Sequence, residues 1–243
     1  EYAREIRSIA AGSGVSYPQL LLANVMYDIA EGWRHFHPAA CSSFSCNLPR
    51  GVPVLARTLD WGIPENLGRY TVLVFYHRGR KHYVSVGLTG FVGVLSAMRP
   101  AAWAVAVNKA PARQHPVPIP HMPACIRLRP VCDSSTTFDA MVRRMKQSRT
   151  MTPFFAHVIG TEAHDHTVIR SLGGRYRERR IEELFIVQTN HHLNPKHHDL
   201  NDLSVSYENS SVRYHALKRR LQRSMPTSVE GALAKLRGQP ITN

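Results

Sequence analysis

Short strand-like runs that come in groups, rather than in alternation with helices, constrain the fold of this chain more than any other feature. Val52–Leu59, Tyr70–Tyr76, Tyr83–Leu88 and Trp103–Val107 are rich in β-branched and aromatic residues and are parted by Gly, Pro and Arg. Phe154–Gly160, His166–Leu172 and Leu184–Thr189 make a second group, and Gly173-Gly174 predicts a hairpin turn inside it. Between the groups, the stretch from Pro111 to Pro130 predicts a long loop or a domain-edge excursion, and "TTFDAMVRRMKQS" predicts a helix. Helical patterns close both ends. Ala3, Ile6, Ile9 and Ala10 recur at helical spacing until Gly12-Ser13-Gly14. Ser16 then reads as an N-cap, with Pro18 in the first turn and Gln19 completing a capping box. Leu21, Leu22, Val25, Met26, Ile29 and Trp33 line one face of the helix that follows, which stops at Pro38. Ser210–Arg223 and Ser228–Leu236 read as the last two helices. Grouped strands flanked by helices predict antiparallel sheets covered by helices, not a doubly wound parallel sheet.

With 243 residues the chain can bury a core without staples, as one large domain or two small ones. Its formal net charge of +14 favours polyanionic partners such as nucleic acid, anionic lipid or acidic substrates. The basic residues are spread along the chain, however, and a solvated basic surface accounts for them equally well. A nucleic-acid-binding module would rest on charge alone. The first residues are charged and helical rather than an apolar leader, and no apolar run has the length of a transmembrane helix. The chain does not start with Met, so a leader could already have been removed. Cys41, Cys46, Cys125 and Cys132 are spaced neither as C-x-x-C nor as a disulfide scaffold, and a Cys125–Cys132 bridge stays open.

The stretch "ACSSFSCNLPRGVPVLARTLDWG", Ala40 to Gly62, carries the chemistry. Cys41 reads as a structural thiol, half a disulfide or a nucleophile. A reactive cysteine needs positive charge beside it and a base for its proton. Arg57 and Asp60, sixteen and nineteen residues on, fall where a hairpin returning from Cys41 brings them back. No base is evident nearby, since His35 and His37 lie beyond a helix end. One chemistry needs no histidine: a cut between Ala40 and Cys41 frees an α-amine with an unperturbed pKa of about 8, well placed to act as general base. Cys46 reads as structural. The His191, His192, His197 and His198 cluster lacks helical ligand spacing and reads as loop, not metal site.

"CSSFSCNLPRGVPVLARTLDWG" resembles the start of the catalytic subunit of the acid ceramidase and N-acylethanolamine acid amidase family, which are N-terminal-nucleophile hydrolases related to bile salt hydrolase and penicillin V acylase. The family's Cys-Thr-Ser matches Cys41-Ser42-Ser43, and its Gly-Arg-Asn-Met/Leu-Asp matches Ala56-Arg57-Thr58-Leu59-Asp60, with Thr58 in place of the usual Asn. "GLTGFVGVLSAMRPAAWAVAVN" is similar to the stretch ending in the asparagine, here Asn108, whose backbone helps form the oxyanion hole. "LFIVQTNHH" places Asn190 as the oxyanion asparagine, and "NSSVRYHAL" places Arg213 as a second active-site arginine. Lys109 stands where the acid ceramidase branch carries an acidic residue, and the chain stops at "GQPITN" where relatives continue into further strands.

The resemblance spans nearly the whole chain. It implies an α+β four-layer αββα sandwich of two antiparallel sheets. It also implies a helical pro-segment over 1–40 and a catalytic part over 41–243, which are cut apart and stay associated. The implied catalytic set is Cys41, Arg57, Asp60, Asn108, Asn190 and Arg213, with no cofactor and no metal. The implied substrate is a linear N-acyl amide such as an N-acylethanolamine or ceramide; the +14 charge suits its delivery from an anionic lipid surface, and no nucleic acid is expected. A bile salt or penicillin V acylase-like hydrolase, or an acyltransferase working through the same thioester, would use the same site.

Overall fold

Alternation along the nine residues from Ala40 to Leu48 organises the protein, because this strand is buried on both faces. The structure is a computed structural model and describes residues 1–29, 40–60, 67–78, 81–111, 121–172, 174–181, 183–194, 196, 201 and 207–241. Its elements in chain order are α1 (Tyr2–Ser13), α2 (Tyr17–Ile29), β1 (Ala40–Leu48), β2 (Val52–Asp60), β3 (Thr71–Arg78), β4 (Lys81–Leu88), β5 (Ser96–Arg99), β6 (Trp103–Lys109), α3 (Ala124–Ser134), α4 (Phe138–Lys146), β7 (Phe154–Ile159), β8 (His166–Leu172), β9 (Arg175–Arg180), β10 (Phe185–Gln188), α5 (Tyr207–Arg223) and α6 (Val229–Leu236). The strands form two sheets, β10-β1-β2 and β3-β4-β5-β6-β7-β8-β9, antiparallel throughout. β1 turns into β2 through Pro49–Gly51, where Arg50 (φ 66) and Gly51 (φ 75) take left-handed conformations that set the tight return.

Helices cover both outer faces. Phe44, Cys46 and Ala56 of the smaller sheet pack on Ala216, Leu217 and Leu221 of α5 and Ala232 and Leu236 of α6. On the larger sheet, Trp103, Val105, Val107, Ala156 and Val158 pack on Leu128 and Val131 of α3 and Met141 and Met145 of α4. Each fully buried Leu, Val, Phe or Met contributes about 1.5–3 kcal/mol over leaving it exposed. The result is the αββα layering expected.

One expectation needs correction, one open alternative closes, and one strand was not expected. The stretch Pro111–Pro130 is not all loop: α3 runs from Ala124 past Pro130, although 112–120 fall outside the described residues. The burial of Ala124, Cys125, Ile126, Leu128, Val131 and Cys132 outweighs the missing proline N–H. Cys125 and Cys132 are both free and buried on this helix, so the bridge left open is absent. β9, sequence "RYRERR", escaped the pattern reading because it is an edge strand; its charges guard an open edge, with Glu178 paired to Lys146 and Arg180.

The N-terminal helices are held by polar anchors. Asn24 Nδ2 donates to Gly90 O, and its Oδ1 accepts from Val92 N at 2.7 Å. Asp28 Oδ1 accepts from Ala124 N at the start of α3 and from Thr152 Oγ1. Arg129, 7% exposed, donates to Glu5 and to Val92 O and stacks over Tyr2 and Tyr76. The predicted Ser16–Gln19 capping box is formed at the start of α2. Trp33 and Pro38 lie outside the described residues.

Facing sheets of a sandwich ordinarily meet through apolar side chains. Here the inward face of β1 is polar, and Ser43, Ser45 and Asn47 bond across to His157 and His166. Burial, with help from Arg179 and His166, holds His157 well below the usual histidine range; burial also pushes His166 down to about 4. Both folded values lie below the unfolded one of about 6.5, so the unfolded chain takes up protons first as pH falls. Stability is therefore expected to drop as pH falls from about 6.5 towards 4. Urea midpoints at pH 7.0, 5.5 and 4.5 check this, and His166→Gln should flatten the slope. Identical midpoints at all three would contradict the buried-neutral reading.

Candidate active site

Period-two alternation puts Cys41 and Cys46, five apart, on opposite faces of β1. Cys46 points with Phe44 into the core under α5 and α6, and burial pushes its thiol up to about 11. Cys41 lies on the face with Ser43 and Ser45, where the polar groups gather.

Each heavy atom of Cys41 that could take part in chemistry has a directed partner. Its amide N–H donates to Asn190 Oδ1 at 2.7 Å. Its carbonyl accepts from Arg213 Nη1 at 2.6 Å. Arg57 Nη2 lies 3.7 Å from its sulfur and donates to Val107 O at 2.9 Å, while Nη1 reaches Ser96 Oγ. The hairpin does this directly: the register sets Ser43 opposite Arg57 and Ala40 opposite Asp60. Asp60 thus stands beside the Ala40–Cys41 bond. Burial raises its pKa, and the charges of Arg213 and Arg57 pull it back part of the way.

Arg213 is 1% exposed although it sits on a helix crowded with arginines. Its Nη1 also donates to Ser42 Oγ, its Nη2 to Asn190 Oδ1 at 3.0 Å, and its Nε to Asn209 Oδ1 at 2.6 Å. Arg220, two turns on, instead caps α6 and the turn after it through the carbonyls of Lys235, Arg237 and Gln239. Asn190 is itself fixed: Nδ2 donates to Lys109 O, and its N–H donates to Ser210 Oγ.

Asn108 comes close but is used differently. Its side chain donates to Ser43 Oγ, Gln188 O and Thr189 O, joining the two sheets. Val107 N–H points to Leu95 O on one side of β6, and Ala110 N–H to Pro153 O on the other. Alternation then turns the Asn108 N–H towards β7, where Asn108 pairs with Phe155. The oxyanion role expected of that N–H is not favoured by this geometry, whereas the main chain of Lys109 faces Asn190.

Ser42, Ser43, Gln188 and Ser210 complete the site, and the sequence gives none of them a role in it. The alternation Cys41-x-Ser43-x-Ser45-x-Asn47 was the signal available for the inward face. His191 bonds to Thr189 and Ser210, and His192 to Pro111 O. His197 and His198 lie outside the described residues, as do His35 and His37. Among the described residues no cluster with metal-ligand character occurs.

No family model matches the chain. The N-acylethanolamine-hydrolyzing acid amidase of Caenorhabditis elegans is 25% identical over 181 residues, covering 70% of this chain and 50% of that protein. An uncharacterized protein of Archaeoglobus fulgidus is 24% identical over 259 residues, covering 89% of this chain and 43% of its own. The chain spans about half the length of the curated relatives it matches. Among solved structures, the C. elegans N-acylethanolamine-hydrolyzing acid amidase ortholog superposes with a TM-score of 0.69 at 19% identity, over 84% of this chain and 88% of that one. A variant of the conjugated bile acid hydrolase of Clostridium perfringens gives 0.53 at 8% identity, over 82% and 80%. The chain thus has the α+β sandwich fold of the N-terminal-nucleophile hydrolases and is similar in sequence and fold to the N-acylethanolamine-hydrolyzing acid amidase of C. elegans.

Proposed function

We propose that this protein is a cysteine amidase of linear N-acyl amides that matures by cutting itself between Ala40 and Cys41. The observation that carries the reading is the convergence of Asn190, Arg213 and Arg57 on the nitrogen, carbonyl and sulfur of one residue. In maturation the Cys41 sulfur attacks the Ala40 carbonyl, the C–N bond breaks as the nitrogen takes the thiol proton and becomes the free α-amine, and water hydrolyses the resulting thioester to release the Cys41 thiol and the Ala40 carboxylic acid. In turnover that amine takes the thiol proton and the sulfur adds to the substrate carbonyl. Arg57 steadies the thiolate and Asn190 Nδ2 the oxyanion. The amine then hands its proton to the leaving nitrogen. Water cleaves the thioester, returning a carboxylic acid and the free thiol. Asp60 and Arg213 orient the amine and the Cys41 carbonyl. No step uses a cofactor. The polar anchors at Asn24, Asp28 and Arg129 keep residues 1–29 docked after the cut.

An apolar strip beside the site supports a fatty acyl group. Leu73, Val86 and Ser96 stand in one row across β3, β4 and β5; Phe75, Val84 and Met98 form the next. Leu73 is 62% exposed and Phe75 63%. The strip ends at Ser96, which holds Arg57. Each methylene buried along it adds about 0.8 kcal/mol, roughly a fourfold gain in kcat/KM per carbon until the strip is filled. A series of N-acylethanolamines, ceramides, bile-salt conjugates and penicillin V, with and without anionic vesicles, tests this. kcat/KM should climb with acyl length, and salt should weaken any vesicle effect. Highest kcat/KM on the rigid steroid or phenoxyacetyl amides would sink the lipid-amide reading.

A further inference from the structure

His157 is a buried titratable group that the mechanism above does not use, and its surroundings give it a task. It projects from β7 between the sheets, with Nδ1 3.0 Å from Ser43 Oγ and Nε2 2.8 Å from Ser45 Oγ. Ser43 Oγ is a junction: it donates to Gln188 O at 3.2 Å and accepts from Asn108 Nδ2 at 3.1 Å. A hydroxyl has one proton. With that proton on Gln188 O, the Nδ1–H of His157 must donate to Ser43, and Nε2 accepts from Ser45. A neutral ring satisfies both hydroxyls at once, and burial keeps the ring neutral.

Ser43 lies two residues from Cys41, on the same face of β1. Asn108 sits between Val107, whose carbonyl holds Arg57, and Lys109, whose carbonyl holds Asn190. The same junction therefore ties the strand bearing the sulfur to the strand that aims the arginine and the asparagine. We propose that His157 is a positioning residue for Cys41, acting through Ser43 and Asn108 to fix the sulfur relative to Arg57 and Asn190. The proposal rests on the cysteine-amidase reading for its activity readout only.

The Nδ1 and Nε2 contacts can be separated. Asparagine reaches about where Nδ1 lies and can keep the Ser43 bond; glutamine reaches about where Nε2 lies and can keep the Ser45 bond. His157→Asn, His157→Gln and His157→Leu would be made in the full chain, with thermal unfolding measured for each. Two rates follow: kcat and KM on an N-acyl amide, and alkylation of Cys41 by iodoacetamide, read by peptide mass. The expected pattern is a loss of tenfold or more in kcat and alkylation rate for His157→Gln and His157→Leu, KM little changed, and recovery of most of the rate by His157→Asn. Rates that instead follow the order of the unfolding temperatures, or that stay unchanged in His157→Leu, would overturn the proposal. Should His157→Leu not fold, the Asn–Gln contrast decides alone. If the wild type hydrolyses no amide, the amidase reading fails while the alkylation contrast still decides the role of His157.

Discussion

Cys41→Ala is expected to remain a single chain and to lose amide turnover by about four orders of magnitude or more, because in the proposed mechanism nucleophile and base belong to one residue and fail together. The wild type should appear by intact mass as two polypeptides, 1–40 and 41–243, that elute together under native conditions. The expected stability of the variant is near that of the wild type. Alanine keeps the backbone N–H for Asn190 Oδ1 and the carbonyl for Arg213, so only the sulfur contacts go. Cys46→Ala provides the contrast. Its sulfur faces the core beneath α5, so the change should cost about 1 kcal/mol of stability and leave kcat within twofold. Wild-type protein that stays uncut at every pH and yet turns over amides would end the N-terminal-nucleophile account. So would a folded, inactive Cys46 variant beside an active Cys41 variant.

The parts of this fold that could be read in the sequence are those where local pattern and burial agree. β8 ends where its apolar run ends, and α4 starts one residue after Thr137, whose side chain accepts from Ala140 N as a cap should. Prediction fails where tertiary context overrides pattern. Pro130 sits inside α3 because the sheet covers that helix, and "RYRERR" is a strand because β8 offers it a partner. At the site, the spacing from Cys41 to Arg57 and Asp60 is a hairpin distance, and the register of β1 and β2 realises it. No local spacing could bring Asn190 or Arg213 to Cys41 across more than a hundred residues. They were placed by resemblance. His157 belonged to neither kind of signal: alone in an apolar strand, it reads as any core histidine until Ser43 and Ser45 are seen opposite.

Arg213 should prove the costliest position after Cys41, and for stability the costliest of all. Its guanidinium supplies donors to four acceptors: Cys41 O, Ser42 Oγ, Asn190 Oδ1 and Asn209 Oδ1. Two effects oppose each other in Arg213→Met. Removing a desolvated cation relieves a penalty, the penalty that also lowers the arginine's own pKa. Against that, buried acceptors lose their donor, and Asp60 loses a positive neighbour that offsets its burial. Truncating one member of a buried charged network generally costs about 3–5 kcal/mol, so the second effect is expected to win. Asp60 would then hold its proton to still higher pH. An acid whose folded pKa is raised loses stability as pH climbs from its unfolded value of about 4 to the folded one, and the variant widens that window. Arg213→Lys separates charge from geometry: one ammonium keeps the field at Asp60 but cannot span Cys41 O and Asn190 Oδ1 together. It should recover most of the stability, yet run about a hundredfold below wild type in kcat, as loss of an aligned oxyanion donor does. Urea unfolding at pH 5 and pH 7, with kcat on the same preparations, measures both. A lysine variant with wild-type kcat would show that Arg213 acts as bulk charge and does not aim Asn190.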